Sequence, residues 1–575
     1  MEIEKGHGEI GKGEPQFISF TNLIEPPRAS PYDPIKLGVL AAAMATHKDS
    51  LSDGPDAEEN LYMPAGYTYF GQFVDHDLTL DTTSTLNPGD LKDPTKTQND
   101  PANARSPRFD LDCLYGTGPG DRPYMYAVND DVENKMYASA SLLIEEWDLS
   151  RASNHRAIIG DKRNDENSIV NQIQQLFIRF HNKVVSELAA ADSNLRGGGL
   201  FQRAQEEVRW AYQQIILDDF LPRIVDAATL DNFKQTNSYQ LFKPALRKNL
   251  PREFVAAAYR FGHSGVRTGY RLQGMPGKHN GTILPIFINP PKKNVDDSLV
   301  GFDPLPAKHV IDNWGRFFSA STPVAGERLM SNEGETVDIA DGGEGKVRLQ
   351  YAYKLDPSIT DPLANLPPKI ASKDDVFPAY VRNPDPLVPG PSLALLNLLR
   401  GNRYGLHGGQ AYAKKIGIPP LDEKYLCIRQ SFDTENGKNF TITPISELNG
   451  INGKLGDAFK DDTPLWFYIL AEAQKPIIDF WIEHGKKDLT EDQLKGVISD
   501  GLTPAQQLKG TRCSGTQLGG VGGRIITEVF YGLLESDDQS VQKSIRKPRN
   551  WQPIWGPGAS MYQLIKYVDP ERAPM

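Results

Sequence analysis

The strongest constraint on the fold is a run of apolar residues between positions 169 and 188. Ile169, Val170, Ile173, Leu176, Phe177, Phe180, Val184 and Leu188 recur at intervals of three and four, which lines them along one face of an α-helix. The spacing predicts a long amphipathic helix over about 166–191. A second is predicted over about 202–218, through Val208, Ala211, Tyr212, Ile215 and Ile216. Pro251 suits the first helical position of a segment through Phe254, Val255, Ala258 and Phe261. The run Ser392 to Leu399 reads as a short buried helix ending before Gly401, and residues 464–470 and 525–530 as further core helices. Residues 1–60 are rich in Gly, Pro and polar side chains, with one apolar patch from Leu37 to Met44. They read as an extended arm ahead of a body spanning 61–575. A polar loop is expected over 84–107, and long loops with brief helices over 270–390. With no internal repeat and no clear linker, the fold class is mainly α: one large domain of core helices and long irregular loops.

Charge and cysteine content narrow the function classes. Lys and Arg number 63 against 74 Asp and Glu, a formal −11, which argues against nucleic acid as the main partner. No stretch approaches the roughly 18 consecutive apolar residues of a membrane span. Three cysteines, Cys113, Cys427 and Cys513, cannot build a disulfide framework in so long a chain. The opening Met1-Glu2-Ile3-Glu4-Lys5-Gly6 lacks the basic and apolar regions of a signal peptide. The expectation is a cytoplasmic or non-classically secreted protein, with the compartment otherwise open.

Two short segments carry the chemistry. In Gly71-Gln72-Phe73-Val74-Asp75-His76-Asp77-Leu78-Thr79-Leu80, Gln72 and His76 are four apart and share a helix face, and aspartates flank the histidine. In Gly160-Asp161-Lys162-Arg163-Asn164-Asp165-Glu166, an arginine precedes a glutamate by three. A histidine that takes a proton, a guanidinium that stabilises a leaving oxyanion and spare carboxylates are the parts needed to split a peroxide O–O bond over a haem iron. A haem also needs a ligand on its other side. Ala258-Tyr259-Arg260-Phe261-Gly262-His263 offers one, with a glycine where bulk would crowd a porphyrin and Arg260 on the same face as His263. Asn397 is polar inside the apolar run Leu393 to Leu399 and must bond something; it is a candidate acceptor for the histidine's second nitrogen. Ser106-Pro107-Arg108-Phe109-Asp110-Leu111-Asp112 alternates oxygen-bearing residues at spacing two, suited to a hard cation, and Asp77 could complete the set.

Each has a plainer alternative. His76 can be a buried structural residue, Gly262-His263 a helix end, Asn397 a helix–helix hydrogen bond, and 106–112 a solvated loop. His181 reads as a satisfied structural residue of the long helix. The glycines from Gly519 to Gly523 form only a weak phosphate-loop pattern, with no Lys-Ser/Thr following.

Taken together, these residues resemble the animal-type haem peroxidase superfamily, also called peroxidase-cyclooxygenase, which includes myeloperoxidase, lactoperoxidase and peroxinectin-like proteins. The ordered matches run from Gln72 to about Gly523. The resemblance implies a haem between core helices. His76 is then the distal acid–base, Gln72 the amide of the peroxide and halide pocket, and Arg163 the catalytic arginine. Asp75 and Glu166 match the two carboxylates that esterify the haem, so a covalently bound haem b derivative is expected. His263 looks like the proximal iron ligand, Asn397 its hydrogen-bond acceptor, and Arg260 and Arg400 the propionate partners. Asp77, Ser106, Arg108 (through its carbonyl), Asp110 and Asp112 fall at calcium positions. The implied reaction reduces hydrogen peroxide and oxidises a halide, thiocyanate or a small aromatic donor through a ferryl-porphyrin radical. Asn167 stands where myeloperoxidase has a methionine joined to the haem, so that third link is expected to be absent.

The departures point to a bacterial relative: the secretory signal and the disulfides of the animal enzymes are missing. Two rivals stand beside this reading. One is a fatty-acid oxygenase of the same superfamily, disfavoured because Arg260 occupies the place of its radical tyrosine and Tyr259 lies one residue too far. The other is a calcium-dependent binding or adhesion protein on a peroxidase scaffold.

Overall fold

A computed structural model describes residues 18–45, 57–80, 102–128, 138–244, 249–274, 283–288, 297–319, 349–367, 392–434, 437–450, 453–495, 513 and 515–574. The polar loop expected over 84–107 lies outside them up to residue 101, as does much of 270–390. Within the first 60 residues, Pro34–Met44 forms helix α1, started by Asp33, whose side chain accepts from the Ile35 amide. The apolar patch Leu37 to Met44 therefore packs as helix rather than as extended chain, and its leucines are fully buried.

The centre is built by α2 (Gly66–Leu78), α3 (Ser168–Ala191) and α4 (Gly197–Ile215). The three-and-four spacing puts Ile169, Ile173, Phe177, Phe180 and Val184 inside, all buried. Phe177 stacks on Phe73 of α2 with centroids 4.8 Å apart, and Tyr212 of α4 meets both rings edge-on. Each buried aromatic contributes about 1.5–3 kcal/mol through removal of apolar surface from water. Asn167 starts α3 by accepting from the amides of Ile169 and Val170, a side-chain cap for otherwise orphaned donors. α4 runs on through a π-helical turn, Ile216–Phe220.

The helix expected after Pro251 is short and broken. α5 covers only Arg252–Ala256, with Pro251 as its cap rather than its first residue. At Ala257 the backbone leaves helical geometry (φ −136°, ψ −68°), and a 3-10 turn, Ala258–His263, follows. α6 (Leu393–Arg403) is longer than expected: it begins at the Ser392 cap and passes through Gly401. α7 (Leu465–Ala473) and α8 (Gly520–Ser536) close the core.

The glycine run 519–523 forms no phosphate loop. It is the cap and first turn of α8, and a Cβ on Gly522 would lie 2.5 Å from Ile469 of α7. Small antiparallel pairs decorate this body, the longest joining Cys427–Thr434 to Gly437–Pro444. One apolar cluster runs from Phe20 to Ile565. Among the described residues no helix is long and apolar enough to cross a membrane.

Candidate active site

α2 carries Gln72, Asp75, His76 and Asp77 to the centre of the molecule, where the segment 161–166, leading into α3, meets it. His76 is 4% exposed, and its Nδ1 lies 2.7 Å from Oδ1 of Asn164. Asn164 in turn donates its amide to Gln174 at 2.7 Å, which fixes its oxygen towards the imidazole. The Nδ1 proton is thereby held, and the Nε2 lone pair is left free to act as a base. Burial, and then the charge of Arg163, pull the His76 pKa from 6.5 to about 4, so the ring is neutral at ordinary pH.

Arg163 bonds Asp161 at 2.8 Å and the carbonyl of His76 at 3.2 Å, and also reaches the carbonyl of Thr79. Burial alone would raise the Asp161 carboxyl, but hydrogen bonding and charge from Arg163, then Arg105, hold it well below the usual range. Glu166 lies 3.9 Å from His76 Nε2 and accepts from the Gln72 amide. Burial, opposed by Arg163, pushes its pKa up to about 7. Asn167 donates to the Gln72 oxygen at 3.1 Å, so both ends of that carboxamide are fixed. Asp75 accepts from the Thr79 hydroxyl at 3.2 Å; its charge acts on both His76 and Glu166.

His263 closes the 3-10 turn on the other side. Its Nδ1 is 2.8 Å from the Asn397 carboxamide of α6. Carboxamide oxygen and nitrogen are interchangeable by rotation; with the oxygen turned inward, Asn397 accepts from Nδ1–H and frees the Nε2 lone pair. Burial, then Arg260 and Arg400, pull the His263 pKa to about 3. Arg260 is itself lowered to about 10, by burial and then by Arg400. Two cations thus crowd one buried region, and among the described residues neither has a carboxylate at salt-bridge distance. A Cβ on Gly262 would meet nothing within 4 Å. A ligand nitrogen, open space beside it and two cations awaiting anionic groups fit a porphyrin with its propionates. The two sides are joined where Tyr259 donates to the Gly71 carbonyl at 3.2 Å.

The third constellation lies behind α2. One carboxylate oxygen from each of Asp77, Asp110 and Asp112 falls within 4.8 Å of the others. Neither oxygen of Asp77 has a hydrogen-bond partner, although the residue is fully buried. Burial and then Asp110 and Asp112 raise the Asp77 pKa well above normal, and burial and then Asp110 push Asp112 up to about 8. Ser106 donates to Asp110 at 2.6 Å, and the Arg108 amide donates to the Ser106 carbonyl at 2.8 Å. The orphaned, buried carboxylate of Asp77, with Asp110 and Asp112 at this spacing, matches the donor set of a hard cation.

Sequence reasoning passed over Asn164, Asp161 and Arg105. Asn164 and Asp161 flank Arg163, so the segment itself held the signal. Arg105 ties the acidic loop to the distal segment through Asp112 at 3.1 Å and Asp161 at 2.6 Å, a link invisible without the fold.

Comparison with known proteins bears on the fold and on one segment of the chain. The family model described as animal haem peroxidase matches residues 122–314. Thyroid peroxidase of Sus scrofa is 28% identical over 163 residues, covering 26% of this chain and 17% of that protein. The chain therefore aligns with well under a fifth of that relative's length. Peroxidase A of Dictyostelium discoideum superposes with a TM-score of 0.56 at 15% identity, over 97% of this chain and 94% of that one. A fatty acid alpha-dioxygenase variant of Oryza sativa, solved with palmitic acid, superposes at 0.51 and 14% identity, over 94% and 80%; both superpositions speak to the fold. Residues 122–314 of the chain are thus similar to the animal haem peroxidases. The chain's mainly helical fold is that of its structural neighbours.

Proposed function

We propose that this protein is a haem peroxidase that reduces hydrogen peroxide and oxidises halides, thiocyanate or small aromatic donors. The similarity of residues 122–314 to animal haem peroxidases supports an oxidoreductase with haem as its cofactor. The observation that carries the finer reading is the pair of histidines, each with one nitrogen bonded by an asparagine and the other able to face a ligand. His263 would hold the iron, Arg260 and Arg400 the propionates, and Asp75 and Glu166 would form ester links to the porphyrin. Bound there, haem supplies the redox equivalents that cleave the O–O bond.

The chain's own residues manage protons and charge. His76 Nε2 takes a proton from the inner peroxide oxygen and returns it to the outer one as water leaves. Asn164 keeps the Nδ1 proton in place while this happens. The positive charge of Arg163, oriented by Asp161, offsets the negative charge that develops on the departing oxygen. Gln72, held at both ends, presents a fixed carboxamide to small substrates. Asp77, Asp110 and Asp112, with the Ser106 hydroxyl and the Arg108 carbonyl, would hold calcium and fix the far side of α2.

The test is an absorption spectrum of haem-supplemented protein followed by acidified-acetone extraction. A Soret band whose haem stays with the polypeptide supports ligation by His263 and the ester links. Haem that extracts freely removes the covalent link alone, and no Soret band at all would favour the binding-protein rival. Oxygen uptake with linoleate in place of peroxide-driven iodide oxidation would favour the fatty-acid oxygenase. Against that rival, the Tyr259 phenol donates to a backbone carbonyl, which cannot take its proton.

A further inference from the structure

His181 is fully buried on α3, and the Tyr115 ring packs against it with centroids 5.1 Å apart. Nε2 of His181 lies 2.8 Å from the carbonyl oxygen of Ala140. A carbonyl only accepts, so Nε2 carries the proton and Nδ1 has a free lone pair. Nδ1 is 3.1 Å from the Tyr115 phenol, which must therefore be the donor in that bond. Burial pulls the His181 pKa to about 4 and raises that of Tyr115 well above normal, so the pair rests as neutral imidazole and neutral phenol. A buried phenol gives up an electron readily only when its proton has somewhere to go. The phenols of Tyr259 and Tyr126 point at backbone carbonyls, of Gly71 and of Tyr115 itself, whereas Tyr115 points at a base.

We propose that Tyr115 and His181 form a proton-coupled redox pair that carries a one-electron oxidising equivalent away from the haem site. The pair borrows its oxidant, hydrogen peroxide, from the peroxidase reading above and rests on it in that respect. One electron leaves the Tyr115 ring for the oxidising equivalent that peroxide leaves at the haem. The phenolic O–H bond breaks as an N–H bond forms at Nδ1, giving a neutral phenoxyl radical and an imidazolium. The bond to Ala140 then becomes charge-assisted and helps hold the imidazolium. A one-electron donor later reduces the radical, and Nδ1 returns its proton.

The helical turn Asp112–Tyr115 packs against α2, which carries His76. Asp77, next to His76, acts electrostatically on Tyr115. Phe201 touches the rings of both Tyr115 and Tyr126, at 5.7 and 5.6 Å. Two residues before Tyr126, the Tyr124 side chain is 59% exposed. Bulky phenols or aromatic amines unable to reach His76 are the class of donor such an outlet serves.

The experiment traps radicals in the haem-loaded full-length chain for paramagnetic resonance, using two oxidants separately: flash-generated ruthenium(III) tris-bipyridine and hydrogen peroxide. The ruthenium arm needs no peroxidase chemistry. A tyrosyl signal there, lost in Tyr115→Phe and weakened in His181→Gln, is the expected result; the same signal in Tyr115→Phe overturns the pair. Should that variant fail to fold, nitrogen-15 histidine labelling of the unaltered chain decides: coupling of the radical to an imidazolium nitrogen supports the pair, and its absence overturns it. A signal with ruthenium but none with peroxide, in a chain that still consumes peroxide, overturns transfer from the haem site, whereas failure to consume peroxide at all overturns the peroxidase reading instead.

Discussion

A histidine is a base only through the nitrogen whose lone pair is free, which makes Asn164 as consequential as His76. Asn164→Ala removes the acceptor 2.7 Å from Nδ1 and lets the ring adopt the wrong tautomer. The reaction with peroxide should slow by roughly 10- to 100-fold, the size of effect seen when a partner that orients a functional histidine is lost. If His263 holds the iron as proposed, the Soret band should stay; a rate equal to the parent's would remove Asn164 from the mechanism. The pH profile gives a second check. Because folding lowers the His76 pKa from 6.5 to about 4, the basic form persists through 6.5, and the stopped-flow rate should fall only as pH approaches 4. The sign for stability is the same: the unfolded chain takes up this proton first, so the His76 contribution is lost as pH drops from 6.5 towards 4. A midpoint near 6.5 would mean that burial does not govern this imidazole.

At the scale of elements, legibility followed how local the physics was. α3 was readable because its three-and-four repeat extends over the whole helix and its cap, Asn167, stands where the repeat begins. α5 was not, because nothing in Phe254 to Phe261 forbids a helix. There Arg260 turns back to the Val255 carbonyl at 3.0 Å, and the chain tightens into the turn that aims His263. Gly401 misled in the opposite sense: a glycine is tolerated inside α6, and the chain turns only at Gly405, where φ is +65°. The glycines 519–523 were legible as glycines but not in purpose, since the neighbour they accommodate, α7, is some 50 residues earlier in the sequence. Their purpose predicts an outcome. Gly522→Val should push a side chain into Ile469, costing about 1–3 kcal/mol by overpacking. Thermal unfolding should shift down while the spectrum of bound haem stays the same; an unchanged midpoint would mean that α7 and α8 are not in such close contact.

The molecule as a whole gathers Asp77, Asp110 and Asp112 from two segments more than 30 residues apart, and Arg105 extends that loop to Asp161, the partner of Arg163. A cation there would act on stability and on the distal side together. The pH dependence reveals whether one binds. In the cation-free chain, folding raises the Asp112 pKa from 3.8 to about 8 and raises that of Asp77 as well. The unfolded chain then releases these protons at lower pH than the folded one, so stability falls as pH rises from 3.8 towards 8. Calcium bound there would keep the carboxylates ionised in the fold and cancel that loss. Removal of calcium by a chelator should therefore lower the unfolding temperature, more at pH 8 than under mildly acidic conditions, and added calcium should restore it. Asp77→Asn should abolish the calcium response and flatten the pH dependence, because its amide neither binds the ion as strongly nor titrates. Equal unfolding temperatures with and without chelator at both pH values would show that the three carboxylates are held in their protonated forms without a metal.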